Sequence, residues 1–255
     1  MADDMRDTTS GPTIVTAAMV VIGDEILSGR TKDKNIGFVA DYLTAIGIDL
    51  KEVRIVPDET DEIVAAINAL RPRYTYVFTS GGIGPTHDDI TADAVAAAFG
   101  VGIDHDPRAV KILSDYYAPR GVEFNEARMR MARIPFGADL VENKVSKAPG
   151  FHIGNVFVMA GVPSVLQAMM DEIVPTLTTG TKMLSETVRV ELPEGIIASG
   201  LGKIQQQFPE SMIGSYPFHD GKIYGTNLVV RARDAGILVA AADAVRAMVA
   251  LLSAE

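Results

Sequence analysis

A glycine-rich segment followed by two aspartates is the part of this sequence best suited to bind a charged ligand. It reads Thr-Ser-Gly-Gly-Ile-Gly-Pro-Thr-His-Asp-Asp-Ile-Thr over residues 79–91. Glycines allow left-handed backbone angles, so several amides can point into one concavity, and the start of a following helix adds positive potential. The pattern predicts a phosphate site, although the same glycines could serve only a tight strand-to-helix turn. The predicted phosphate-binding residues are Ser80, Gly81, Gly82, Gly84 and Thr86.

Carboxylates beside this segment could hold a divalent metal ion. Asp88 and Asp89 directly follow the glycines, and Asp58 follows a neighbouring predicted strand. Ligands of α/β proteins lie at the carboxyl ends of the strands, and carboxylates bind hard cations such as Mg²⁺. We therefore expect Asp58, Asp88 and Asp89 to hold a divalent metal against a pyrophosphate. Alternatively, the aspartate pair stabilises the first turn of a helix and Asp58 forms a turn or a helix cap.

Further polar residues lie where other strands end. Some follow the first predicted strand or begin the next helix, and others lie in the Gly-Val-Pro-Ser turn after a later strand. One is a lysine that could neutralise an anion. Helix capping or surface exposure is the alternative for each of them. The candidate ligand-binding residues from these segments are Asp24, Glu25, Asn35, Lys147, Gly161 and Ser164.

The glycine segment differs from two common nucleotide-binding motifs. It lacks the lysine of the G-x-x-x-x-G-K-[ST] loop, and Pro-Thr-His stands where a dinucleotide fingerprint needs its third glycine. The chain has no cysteine, which excludes disulfides and zinc-thiolate sites, and its four histidines show no ligand spacing. A net charge of −10 argues against nucleic-acid or membrane partners. These features favour a cytoplasmic protein with a small phosphorylated ligand.

The elements that position these residues alternate between strand and helix. Residues 14–22, 50–56 and 74–79 read as strands, each followed by a helical pattern, and residues 151–160 read as a strand containing a hairpin turn. Residues 107–135 read as two helical pieces. Such alternation predicts a mostly parallel sheet in a three-layer α/β/α domain.

We expect three regions along the chain. Residues 1–13 are mostly polar and form a flexible tail, and residues 14–178 form the α/β domain. Thr, Gly and Pro then mark a linker, and residues 183–255 form a small α+β domain. The strand–helix–strand–strand–helix order of this domain is the split β-α-β pattern of ferredoxin-like folds.

Several of these motifs resemble the molybdopterin-binding-domain superfamily, and within it the amino-terminal domain of the competence- and damage-inducible protein A (CinA) family. The glycine segment is also similar to the molybdopterin-binding-like domain fused to eukaryotic FAD synthases. The motifs that carry the resemblance are Gly-Asp-Glu-Ile-Leu at 23–27, Val-Pro-Asp-Glu at 56–59, the glycine segment at 79–91, Asn143 through Ala-Pro-Gly at 148–150 and Gly-Val-Pro at 161–163.

The resemblance implies a pocket for a pterin such as molybdopterin or for a nucleotide phosphate. In some members it implies metal-dependent cleavage of the pyrophosphate in ADP-ribose or FAD, with Mg²⁺ or Co²⁺ as the metal. It places the two catalytic aspartates at Asp58 and Asp89, with Asp88 as a rival for Asp89. Ile83 replaces a threonine of molybdopterin adenylyltransferases, which disfavours that alternative, and a binding protein without turnover is the other. Self-association as a dimer or trimer is also implied.

Overall fold

The computed structural model describes residues 11–253. Most of the predicted tail, residues 1–13, therefore lies outside the described residues. The chain divides into two compact units, a first unit spanning Ile14–Thr179 and a second unit beginning at Gly180. The first unit has two hydrophobic core clusters and the second unit has one.

The first unit alternates strands and helices along most of its length. Short 3-10 turns extend α5, α6 and α7 at their carboxyl ends. The regular elements are β1 (Val15–Ile22), α1 (Asp24–Leu27), α2 (Asn35–Ala45), β2 (Ile48–Val56), α3 (Thr60–Leu70), β3 (Tyr76–Ser80), α4 (Thr91–Phe99), β4 (Ile103–His105), α5 (Pro107–Tyr117), α6 (Glu126–Met129), β5 (Arg133–Pro135), β6 (Asp139–Val141), β7 (Gly150–Ile153), β8 (Val156–Met159) and α7 (Pro163–Ile173).

The central sheet of the first unit has the strand order β2-β1-β3-β8-β7-β6. β2, β1, β3 and β8 run parallel, whereas β7 and β6 form antiparallel pairs at one side. The predicted hairpin turn at Gly154 and Asn155 joins β7 to β8. The mostly parallel sheet is therefore confirmed, and the carboxyl ends of its four parallel strands lie at one edge.

Alternate side chains of β1 face opposite layers of helices. Ala18, Val20 and Ile22 pack in a core with side chains of α3, α4 and α5, while Met19 and Val21 pack in a second core with α2 and α7. These five side chains are at most 2% exposed, as expected for a central strand that is covered on both faces. The three-layer α/β/α arrangement is confirmed.

One prediction for the first unit is wrong. Residues 107–135 do not form helices throughout, because α5 and α6 are followed by β5, which pairs antiparallel with β4. Ile134 in β5 is 3% exposed, and Arg133 donates hydrogen bonds of 2.6 and 2.7 Å to the two carboxylate oxygens of Asp93. These tertiary contacts hold the backbone extended, against the apparent helical spacing of the local sequence.

The second unit is a three-stranded antiparallel sheet with two helices. The sheet order β10-β11-β9 places β11 between the two strands that α8 connects, which is the predicted split β-α-β pattern. By length and composition, α9 is the one helix in the described part of the chain that could cross a membrane. Its residues Leu238, Ala241 and Val245 are buried in the core of this unit. The elements are β9 (Leu184–Val190), α8 (Glu194–Gln207), β10 (Met212–His219), β11 (Tyr224–Ala232) and α9 (Ala235–Leu252).

Candidate functional site

The turns after β1, β2, β3 and β8 enclose a cavity of about 570 Å³, which we call the first cavity. The glycine segment forms part of its wall, and carboxylates from the two neighbouring turns form another part. Predicted residues from four separate turns thus surround a single space. Those that line it are Glu25, Asp58, Gly81, Gly82, Gly84, Asp88, Asp89 and Gly161.

Two glycines allow the turn after β3 to pack closely against its surroundings. Gly81 and Gly82 have left-handed backbone angles, with φ of 109° and 66°. A Cβ atom at Gly81 would lie 2.2 Å from the Ile22 carbonyl oxygen, and one at Gly82 would lie 2.1 Å from Thr91 Oγ1. Both positions therefore require glycine for the backbone angle and for space.

Thr91, the first residue of α4, fixes the carbonyl groups of this turn. Its amide donates to the Gly82 carbonyl at 3.0 Å, and its hydroxyl donates to the Gly81 carbonyl at 3.0 Å. Among the hydrogen bonds of the described residues, none uses the amides of Gly82, Ile83 or Gly84. These three consecutive residues line the first cavity, so their amides are candidates for binding an anion there.

Asp89 forms a hydrogen-bonded turn with Thr86 at the carboxyl end of the glycine segment. Its Oδ2 accepts hydrogen bonds from the Thr86 amide at 2.8 Å and from the Thr86 hydroxyl at 2.6 Å. Arg130 donates to the carbonyl oxygens of Thr86 and Asp89 at 3.2 and 3.3 Å. The polar groups of this turn, first among them Thr86 and then the backbone amide of Asp88, lower the pKa of the Asp88 carboxyl. Asp89 thus has one oxygen committed to the turn, whereas Asp88 ionises more readily than an ordinary aspartate.

Asp58 brings a carboxylate from the end of β2 to the same cavity. Its Oδ2 accepts a hydrogen bond of 3.0 Å from the Asp24 amide, which joins the turns after β1 and β2. Burial raises the pKa of Asp58, the Asp24 amide opposes this, and the carboxylates of Asp24, Glu25 and Asp88 raise it further. Negative charge is therefore concentrated on this side of the cavity, where it favours a bound cation.

The acidic groups fit a divalent metal only together with a ligand. Within residues 11–253, no three histidine, aspartate or glutamate side chains form a ready-made metal site. The cavity nevertheless combines acidic side chains with free amides. Mg²⁺ commonly takes one or two protein carboxylates and completes its shell with water and substrate phosphates. The arrangement suits an ion that enters with a phosphorylated ligand.

Asn35 lies behind the wall of the first cavity rather than in it. It is 5% exposed, and its Nδ2 donates to Ser80 Oγ at 2.9 Å and to the Gly161 carbonyl at 2.8 Å. Its Oδ1 has no hydrogen-bond partner among the described residues. Asn35 and the buried Ser80 therefore join the turns after β3 and β8, and neither lines the cavity as a ligand-binding residue would.

Four further predicted ligand residues, Asp24, Thr86, Lys147 and Ser164, also do not line the first cavity. Lys147 lies beside a different cavity, where its Nζ is 3.4 Å from Glu142. A strand-end position predicts which edge of the sheet a residue occupies but not the direction of its side chain. This explains why only part of the predicted set faces the cavity.

Several residues that line the first cavity were not predicted. They come from the loop before α2, the 3-10 turn before β5 and the loop before β7, where hydrophobic periodicity carries no signal. Only the family motif that begins at Asn143 pointed to any of them. The missed residues include Thr31, Met131, Asn143 and Ser146.

Comparison with known proteins matches both units. Residues 18–179 match the family model of a probable molybdopterin binding domain, and residues 182–253 match that of the FAD synthase middle domain. A protein from Aeropyrum pernix is 32% identical over 247 residues, which cover 91% of this chain and 90% of that protein. A probable FAD synthase from Caenorhabditis briggsae is 32% identical over 239 residues, which cover 84% of this chain and 46% of that protein.

A solved structure supports the same assignment. The protein CinA with unknown function from Thermoplasma acidophilum is 31% identical with a TM-score of 0.60, and the match covers 64% of this chain and 98% of that one. The resemblance seen in the sequence motifs is confirmed. The chain therefore belongs to the family of probable molybdopterin-binding domains, and here that domain is followed by one similar to the middle domain of FAD synthases.

Proposed function

We propose that the first cavity binds a nucleotide-like phosphorylated ligand and that the chain hydrolyses its pyrophosphate bond with a divalent metal ion. One observation carries this proposal: Gly82, Ile83 and Gly84, whose amides have no hydrogen-bond partner among the described residues, line the same cavity as Asp58 and Asp89. A phosphate bound by the amides alone would be repelled by these carboxylates. A divalent cation between them removes the repulsion.

The chain's own residues bind and orient the ligand. The amides of Gly82, Ile83 and Gly84 receive phosphate oxygens and stabilise the negative charge that develops on them when water attacks phosphorus. Asp58 and Asp89 would hold Mg²⁺ or Co²⁺. When bound, such an ion neutralises phosphate charge and makes a water molecule more acidic.

The relatives favour a dinucleotide as the substrate. The second unit matches the middle domain of FAD synthases, and one relative is named a probable FAD synthase. The matched region covers less than half of that relative, so we do not propose FAD synthase activity for this chain. We therefore propose a substrate of the ADP-ribose or FAD class. The cytoplasmic location and the self-association as a dimer or trimer remain predictions from the sequence.

Incubation of the purified protein with ADP-ribose, FAD and NAD tests the proposal. We expect release of AMP with Mg²⁺ or Co²⁺, and loss of that release on adding a chelator or on the change Asp58→Asn. Asp61→Asn is the control, because Asp61 is an acidic residue in the first turn of α3 and does not line the cavity. If no metal supports cleavage but a nucleotide or molybdopterin raises the melting temperature, the chain is a binding protein and the hydrolase proposal is wrong.

A further inference from the structure

A second cavity of about 650 Å³ borders the segment formed by residues 143–149. Asn143 lines both cavities, while Ser146 and Ala148 line the first and Lys144 and Lys147 line the second. The segment is therefore a shared wall. The two cavities adjoin at Asn143.

The shared wall is built rigidly around Asn143, which is 2% exposed. Its Nδ2 donates to Ser146 Oγ at 2.6 Å and to the Ala148 carbonyl at 2.9 Å, and its Oδ1 accepts from the amides of Val145 and Ser146 at 3.0 and 3.1 Å. Lys147 has a φ of 63°, the one left-handed non-glycine residue in the described chain. Strained backbone of this kind persists where the surroundings enforce it, and it concentrates at ligand sites.

The lining of the second cavity carries one more positive than negative side chain, although the chain has a net charge of −10. Its charged lining consists of Arg120, Lys144 and Lys147 against Asp115 and Glu142. A local excess of positive charge attracts anions even when the protein as a whole is acidic.

Arg120 is the member of this set that is free to bind an anion. Its guanidinium lies over the Tyr116 ring, 3.8 Å from the centroid, and one N–H group donates to the Tyr116 carbonyl at 2.6 Å. Within the described residues it forms no ion pair with a carboxylate, whereas Lys144 pairs with Glu172 and Lys147 with Glu142. The remaining N–H groups of the planar Arg120 guanidinium match the geometry of phosphate oxygens.

We propose that the second cavity binds a phosphomonoester, the additional phosphate that some dinucleotides carry away from their pyrophosphate, with Arg120 as the main anion-binding group. The proposal rests on the proposed function, because it assumes that the pyrophosphate occupies the first cavity and that the ligand reaches across the shared wall. A phosphate carries close to two negative charges, so it gains more from the unpaired Arg120 than a singly charged carboxylate does.

Calorimetric titration without divalent metal tests this site with two matched ligand pairs, NADP⁺ against NAD⁺ and coenzyme A against dephospho-coenzyme A. We expect the member with the extra phosphate to bind roughly tenfold more tightly, the effect of about one charge-assisted hydrogen-bonded pair. Arg120→Gln should abolish this preference. Arg128→Gln is the matched control, because Arg128 also lies over a tyrosine ring and donates to a backbone carbonyl but lines neither cavity.

Equal binding within both pairs, or no binding of any of the four even after Mg²⁺ is added, would overturn the proposal. So would an equal loss of preference in the Arg120 and Arg128 variants at unchanged melting temperature. If Arg120→Gln fails to fold, Lys144→Gln must reduce the preference instead. A phosphate preference without any nucleotide cleavage would reject the hydrolase and keep this site, whereas cleavage without the preference would do the reverse.

Discussion

The side-chain nitrogen of Asn35 lies 2.8 Å from the carbonyl oxygen of Gly161, so the start of α2 is tied to the turn after β8. Because a carbonyl cannot donate, this contact fixes which end of the Asn35 amide faces Gly161. The same nitrogen reaches Ser80 just before the glycine turn. One buried amide therefore sets the spacing between two walls of the first cavity.

The change Asn35→Asp replaces this donor by an acceptor. We expect a loss of about 1–3 kcal/mol in the free energy of unfolding, the cost of unsatisfied buried polar groups. Affinity for ADP-ribose should fall because the two turns separate. Urea unfolding and calorimetric titration measure the two effects.

Asn155→Asp is the matched control for Asn35. The Asn155 side-chain nitrogen also donates to two carbonyls, those of Arg71 and Tyr74, each at 2.9 Å, but at the start of β8 and so at the opposite edge of the sheet. It should lose comparable stability and keep its affinity. Equal loss of affinity in both variants would show that Asn35 has no special relation to the site.

Gly82→Ala should damage both the fold and the ligand site. A left-handed backbone costs a non-glycine residue about 1–2 kcal/mol, and the new methyl group would also meet Thr91 Oγ1 at 2.1 Å. Gly100→Ala isolates the backbone term, because Gly100 has the same φ of 66° and no atom within 4 Å of the added group. Thermal unfolding should show the larger loss at Gly82. A similar loss at both positions would mean that the turn relaxes freely.

Variants of Asp89 separate its structural role from its proposed metal role. Asp89→Ala removes the acceptor for Thr86 and should cost about 1 kcal/mol, whereas Asp89→Asn keeps an acceptor and should fold normally. If Asp89 holds the metal, Asp89→Asn still loses nucleotide cleavage. Full cleavage by Asp89→Asn together with loss in Asp88→Asn would transfer the metal role to Asp88.

The raised pKa of Asp58 predicts how stability depends on pH. Burial makes the folded state bind this proton more tightly than the unfolded state, where the value is near 3.8. The free energy of unfolding therefore falls as pH rises from below 3.8 through the folded-state pKa. Asp58→Asn should raise the melting temperature at neutral pH, and this gain should vanish in acid.

Asp106 supplies a control of opposite sign for this pH effect. The hydrogen bond from Arg108 lowers the pKa of Asp106, so its ionised form stabilises the folded state above the unfolded-state pKa. Asp106→Asn should lower the melting temperature at neutral pH, and this loss should fade as pH falls through the folded-state value. Parallel pH dependence of the two variants would contradict at least one of the two assignments.

The architecture could be predicted because apolar strands and helices alternate along the chain. Parallel strands end at one edge of the sheet, so Asp58 and the glycine turn could be placed together although 22 or more residues separate them in sequence. The strand β5 could not be predicted, because Ile134 is buried and Arg133 is paired only through contacts with distant elements.

Side-chain direction limited the prediction of the site. Asn35 and Ser80 stand at the correct edge, but their mutual hydrogen bond turns them away from the cavity. Asn143 could not be predicted to line the cavity, because it lies in a loop whose sequence has no hydrophobic periodicity. The local sequence fixes where the chain turns, and packing decides which side chains face the ligand.

The most direct measurement of the central claim is the effect of Mg²⁺ on the binding of ADP-ribose to the wild-type protein and to Asp58→Asn. If the free amides and the acidic side chains act on one ligand, Mg²⁺ should tighten binding to the wild type by roughly tenfold or more. The Asp58→Asn variant should bind the nucleotide with little response to the metal. Equal affinity of the wild type with and without Mg²⁺ would show that phosphate and cation do not meet in the first cavity.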